Sequence, residues 1–138
     1  MLEVVTALDV GPLAVIFMIL LVYFLLGCVF ESLSMMLLTV PVFAPVVAGL
    51  GLFSQYGAMG EELSLIWFGI FVVVATEISL ITPPVGLNVY VLKGVIGDVA
   101  TGTIFRGITP FWAVDIVRLV LLVFIPYMAI ALPLTMQN

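Results

Sequence analysis

The sequence predicts an all-α membrane protein, and three observations predict it: the composition, the length of the uncharged runs, and the prolines and glycines set inside them. Hydrophobic residues fill 65% of the 138 positions and charged residues 8%, with a mean hydropathy of +1.47. Soluble domains average roughly 45–50% apolar and about 25% charged residues. Residues 10–30, 32–60 and 119–138 carry no charge, and each run approaches or exceeds the ~20 residues that cross a hydrocarbon core about 30 Å thick. The lipid bilayer is therefore the expected solvent, crossed more than once.

Residues 11–50 hold a single charge, Glu31. As one helix they would reach about 60 Å, twice the hydrocarbon thickness, so the segment must bend or break. Residues 27–34 gather Gly27, Glu31, Ser32 and Ser34, which predicts a re-entrant hairpin over about 11–50 with helical arms at 12–26 and 35–47. Pro41 and Pro45 on the second arm withhold amides from the oxygens of Leu37 and Pro41; ordinary kinks in a spanning helix are the alternative reading. The glycine-rich interval 49–62, ending in Glu61 and Glu62, reads as a loop outside the membrane.

A discontinuous transmembrane helix is expected over about 63–97. Residues 63–81 are apolar, too long and unalternating for a strand. They run into Thr82-Pro83-Pro84-Val85-Gly86-Leu87-Asn88, whose prolines push the preceding residues out of the helical region. Thr82 is a fit N-cap for a helix that resumes at once. Residues 97–107 read as a polar loop, and about 108–133 as the terminal transmembrane helix. All three bases, Lys93, Arg106 and Arg118, lie around that loop, which places it in the cytoplasm and opens the first hairpin outward.

Composition also excludes functions. The net charge of −5 rests on eight acids and three unclustered bases, so nucleic-acid binding has no electrostatic basis. One cysteine, Cys28, excludes an intrachain disulfide, and the lack of histidine removes the usual zinc ligand and general base. No nucleophile–base pairing suggests an enzyme. The acidic start, Met1 to Val5, argues against a signal peptide. With so few crossings, residues 1–138 read as a fragment, because membrane proteins with a midplane site usually build it between two repeats.

The chemistry-bearing residues cluster at the two breaks. Unwound carbonyls, the Thr82 hydroxyl and the Asn88 amide oxygen suit a hard cation, Gly86 allows close approach, and a new helix N-terminus favours a carboxylate. Thr82, Pro83, Gly86 and Asn88 are thus sodium candidates, and Thr82, Pro84, Gly86, Asn88 and Ser32 are candidates for an anionic substrate. A packed proline kink is the bland alternative. Glu77 is expensive in a membrane: a proton carrier, an indirect support for a cation, or a carboxylate in a watery cavity. Thr76 and Ser79 are expected to satisfy freed carbonyls. Glu31 is expected to close the site or rest in a vestibule. Asp115 and Arg118 are expected as a local pair near the cytoplasmic interface, and Lys93 is expected to snorkel. Trp67, Trp112, Tyr23 and Tyr127 need no more than anchoring or lipid packing.

The run from Glu77 through Thr82-Pro83-Pro84-Val85-Gly86-Leu87-Asn88 to Val91 resembles the signature near the C-terminus of large permease subunits of TRAP (tripartite ATP-independent periplasmic) transporters, the DctM-like family. Gly27 with Glu31, Val40 to Pro45 and Phe105 to Phe111 resemble it in order and spacing, and the likeness covers nearly the whole chain. The Gln55 to Glu62 interval is longer than the short connection expected of the family, and the family's N-terminal half with its matching hairpin is missing.

The resemblance implies an inverted-repeat, elevator-type ion-transporter fold in the bacterial inner membrane. It further implies sodium-coupled import of organic acids such as C4-dicarboxylates or sialic acid, a periplasmic solute-binding protein that delivers them, and a small DctQ-like membrane subunit. Sodium is then the coupling ion and no cofactor is expected. Two rivals remain at this point: a proton-coupled carrier of the wider ion-transporter group using Glu77, and a membrane assembly subunit that transports nothing, against which the broken helix argues.

Overall fold

The computed structural model describes residues 11–83 and 85–136; Met1 to Val5 and Pro84 lie outside the described residues. Six α-helices follow in order: α1 (Pro12–Leu26), α2 (Ser32–Ala48), α3 (Gly60–Ile81), α4 (Leu87–Ile96), α5 (Thr101–Phe124) and α6 (Tyr127–Met136), with a short 3-10 helix at Ser54–Met59 before α3. No strand occurs among the described residues. Two helical stretches, Ser54–Ile81 and Thr101–Phe124, are long and apolar enough to cross a membrane.

Helices α1 and α2 form an antiparallel hairpin. The Thr39 hydroxyl gives its proton to the Met35 carbonyl at 2.7 Å, so the buried Tyr23 hydroxyl, 2.6 Å away, is the donor to Thr39. Tyr23 also tilts against Phe43 with ring centroids 6.2 Å apart. The Tyr23–Thr39 pair centres on residue 31, where the chain reverses. The second arm starts at Ser32 rather than at the expected 35, because the Glu31 carboxylate accepts the amides of Leu33 and Ser34 and caps α2. At 15 and 17 residues the arms measure about 22 and 26 Å at ~1.5 Å per residue, each short of the ~30 Å core. Pro41 and Pro45 stay inside α2 without ending it.

Helix α3 is the centre of the molecule: it touches α1, α2, α4, α5, α6 and the 3-10 turn. Its buried residues include Leu63, Trp67, Phe71, Ala75 and Ile78, each 1% exposed or less. It begins three residues earlier than expected, at Gly60. A Cβ there would stand 2.4 Å from the Phe53 carbonyl oxygen, so only glycine lets the preceding turn fold against the helix start. Much of the expected 49–62 loop is thereby ordered, with Phe53 buried, and Glu61 and Glu62 sit in the first turn of α3, where their charge complements the helix dipole.

The C-terminal helix departs from expectation at both ends. Helix α5 starts at Thr101 and runs through Pro110, and the 97–107 loop contracts to the turn at 97–100. Pro110 deprives the Arg106 oxygen of an amide without ending the helix, and the Thr109 hydroxyl beside it bonds back to the Phe105 carbonyl at 2.9 Å. The helix then stops at Phe124 and resumes as α6 at Tyr127, because Pro126 has no amide for the Leu122 carbonyl. The buried Trp67 indole takes that oxygen at 2.9 Å.

Trp67 is therefore a core residue, stacked on Phe71 with centroids 5.2 Å apart, and Tyr23 is equally buried. Interface anchoring, expected of both, is the role of neither; Tyr127 stays exposed. We expect Trp67→Phe to lower the stability of the permease in detergent by about 1–3 kcal/mol, the cost of an orphaned buried carbonyl. In a Pro126→Ala background, where an amide can return to Leu122, the same substitution should cost clearly less in a thermal-unfolding comparison.

Candidate functional site

The first arm of the hairpin ends against the end of α3. A Cβ on the buried Gly27 would lie 2.1 Å from the Ser79 Oγ and 2.4 Å from its Cβ, so the turn seats directly on Ser79 because residue 27 has no side chain. Ser79 is one helical turn from the break, and its hydroxyl donates to the Thr76 carbonyl at 2.7 Å, as expected of it. The Thr76 hydroxyl does not follow that expectation: it is buried and has no partner among the described residues. Sequence could not single it out, since a threonine of a membrane helix normally bonds back to its own backbone.

The break itself follows from its prolines. Thr82 is extended, with φ −79° and ψ 132°, as a residue before proline must be. Pro83 has no amide for the Ser79 carbonyl, and the Thr82 amide takes that oxygen instead at 3.3 Å. The Thr82 hydroxyl donates to the Ile78 carbonyl at 2.6 Å and accepts the Trp112 indole N–H at 3.0 Å. Thr82 thus closes α3 rather than opening the next helix. The N-cap of α4 is Gly86, left-handed at φ 55°, whose carbonyl accepts the amides of Val89 at 2.8 Å and Tyr90 at 3.3 Å.

A side chain at Gly86 would meet the Phe105 ring at 3.2 Å besides requiring a strained backbone. No side chain caps the α4 N-terminus, so its first amides face the gap uncapped. Asn88, in that first turn, is exposed, as is Pro83, while Ser32 is half-buried at the start of α2. Pro83 also borders a cavity of about 160 Å³ formed with Ile81, Phe105, Ile108, Thr109 and Trp112. Pro84 was expected to contact substrate; it lies outside the described residues.

The model of the DctM component of tripartite ATP-independent periplasmic transporters matches residues 1–128. The chain belongs to the DctM family. It is 33% identical to the C4-dicarboxylate TRAP transporter large permease protein DctM of Pseudomonas aeruginosa, over 94% of this chain and 27% of that protein. It is 30% identical to the sialic acid TRAP transporter large permease protein SiaM of Vibrio cholerae, over 89% and 26%. It is also 30% identical to the ectoine/5-hydroxyectoine large permease protein UehC of Ruegeria pomeroyi, over 90% and 26%. The chain thus spans about a quarter of the length of these relatives. No solved structure matches it. The family is one of membrane transporters, not enzymes.

In this DctM segment the remaining polar residues take structural partners. Lys93 donates to the Gly97 carbonyl and caps the C-terminus of α4, favourable against the helix dipole. Glu31 is occupied as the cap of α2. Glu77 pairs across helices with Arg118 at 3.3 Å, and Asp115 meets the same guanidinium at 3.8 Å. The expected local Asp115–Arg118 pair is therefore one side of a three-residue cluster. Arg118 is 17 residues (118 minus 101) along α5, about 25 Å from its start.

The tightest requirements here are glycines. We expect Gly27→Ala to destabilise the permease by about 1–3 kcal/mol through overpacking, with Gly27→Ala/Ser79→Gly recovering most of the loss in the same unfolding assay. Gly107→Ala, on the exposed side of α5, whose added Cβ meets nothing within 4 Å, should leave stability unlowered.

Proposed function

We propose that this chain is the C-terminal part of the large permease subunit of a sodium-coupled, binding-protein-dependent importer of organic acids in the bacterial inner membrane. The observation that carries this reading is the meeting of two breaks: the turn of the α1–α2 hairpin rests on Ser79, one helical turn from Thr82, where α3 has ended and before α4 begins at Leu87. In lipid, non-helical backbone persists only where protein buries it or it lines a watery cavity, and paired discontinuities of this kind are where secondary transporters hold substrate and ion. The hairpin is then re-entrant, each arm too short to span, and it moves with α3 as part of an elevator-type transport body.

At the break, the oxygens left for sodium as a transported ion are the Asn88 side chain, the Pro83 carbonyl and one lone pair of Thr82. The Gly86 carbonyl is engaged by two amides, so Gly86 contributes the turn that aims α4. The uncapped α4 N-terminus favours the carboxylate of the cargo, with Ser32 approaching from the hairpin. The cargoes named for the relatives, C4-dicarboxylates, sialic acid and ectoine, support a small carboxylate as the cargo class. Delivery by a periplasmic binding protein and association with a small DctQ-like membrane subunit follow from the tripartite family.

The test is uptake of labelled organic acid into proteoliposomes containing the full permease and its binding protein, with and without a sodium gradient. We expect sodium-driven uptake in the wild type. Asn88→Ala should weaken apparent sodium affinity about ten- to hundredfold, the equivalent of a ~1.5–3 kcal/mol contact to an ion. Thr82→Ala should lower uptake as well, and Trp112→Phe, which only releases the Thr82 hydroxyl, should lower it less. Uptake indifferent to sodium would refute the coupling.

A further inference from the structure

An open groove of about 710 Å³ lies on the side of α3 between α5 and α6. It is lined mainly by apolar side chains, among them Ile70, Val73, Met128 and Leu132, with Glu77 and Arg118 at its charged edge. Ile70, Val73, Met128 and Leu132 are 39%, 45%, 60% and 70% exposed. Glu77 and Arg118 are 61% and 51% exposed. Glu77 stands 17 residues (77 minus 60) into α3 and Arg118 17 residues into α5, so each is about 25 Å from the start of its own helix. Since the two helices run in opposite directions, the cluster is as far from the start of α3 on one side as from the start of α5 on the other, and a bilayer that both helices cross holds it well inside.

Charged side chains at that depth face protein or water, not lipid. Glu77, Asp115 and Arg118 together bring two carboxylates to one guanidinium, a net charge of −1. That sign disfavours an organic anion as the occupant. It equally disfavours a second copy of this face, which would set like charges against each other in a low dielectric. Gly69 in the groove wall would carry a Cβ into open space, and small residues are where membrane helices approach closely. The relatives are three to four times as long as this chain, and whatever they carry beyond the matched quarter is tethered beside this face at high effective concentration.

We propose that the α3–α5–α6 groove seats a transmembrane helix from the rest of the permease polypeptide, and that this helix presents a lysine, arginine or histidine level with Glu77 to complete the charge cluster. The inference rests on the chain being part of a longer membrane permease, and not on the coupling ion or the cargo.

The experiment places the photocrosslinking residue benzoylphenylalanine at Val73 and, separately, at Leu132 in the full-length permease in its membrane, and maps the adducts by proteolysis and mass spectrometry. The expected result from at least one position is a dominant adduct to a peptide of the same polypeptide outside this chain. That peptide should have a basic residue within one helical turn of the level of Glu77. Adducts to lipid, to a separate subunit or to a second copy overturn the proposal, as does the absence of any adduct from both positions. A mapped peptide without a basic residue overturns its charge complement. Because no uptake is read, the result stands or falls independently of sodium coupling.

Discussion

Eight prolines stand in a chain whose solvent offers no hydrogen bonds, and each one inside or after a helix withholds an amide from the carbonyl four residues before it. In water that loss is repaired by solvent; in hydrocarbon it must be repaired from within. Pro126 strips the Leu122 oxygen and Trp67 reaches across from α3 to claim it. Pro83 strips Ser79, whose oxygen takes the displaced Thr82 amide. The Ile78 oxygen, left by that displaced amide, takes the Thr82 hydroxyl. The repairs draw helices together, because some of the donors come from other segments, and so the breaks become points of tertiary attachment.

The helices and the two breaks were legible in the sequence because each has a local cause. Apolar runs longer than a bilayer require a reversal, and Pro83 forces Thr82 out of helix whatever surrounds it. The first arm, Pro12–Leu26, falls where proline and glycine mark its ends. Family membership was legible for the same reason: the Thr82 to Asn88 motif is contiguous.

What the sequence hid depends on residues brought together from afar. Thr82 looked like a helix start, yet its hydroxyl bonds back to Ile78 and is held by Trp112, thirty residues on, so that it closes a helix instead. Arg118 looked paired with Asp115 three residues away, yet Glu77 is closer to it. The seat of Gly27 on Ser79 leaves no trace in either segment alone, since a glycine at a turn has many other uses. Pro110 illustrates the converse: it reads as a boundary, and the helix passes through it.

Three links hold α3 and α5 at successive levels: Trp67 to Leu122, Glu77 to Arg118, and Thr82 to Trp112. Their spacing along α3 covers fifteen residues (82 minus 67), about 22 Å of helix, and no single sliding step between the two helices keeps all three. The pair therefore behaves as a splinted beam. Any large displacement of this part of the permease must carry α3 and α5 together, and the joints left to bend are the short connections that join α4 to α3 and to α5. Motion on one side of the beam reaches the other as rotation of a rigid piece, so the geometry of the gap at 82–86 can change without the core of the segment being repacked.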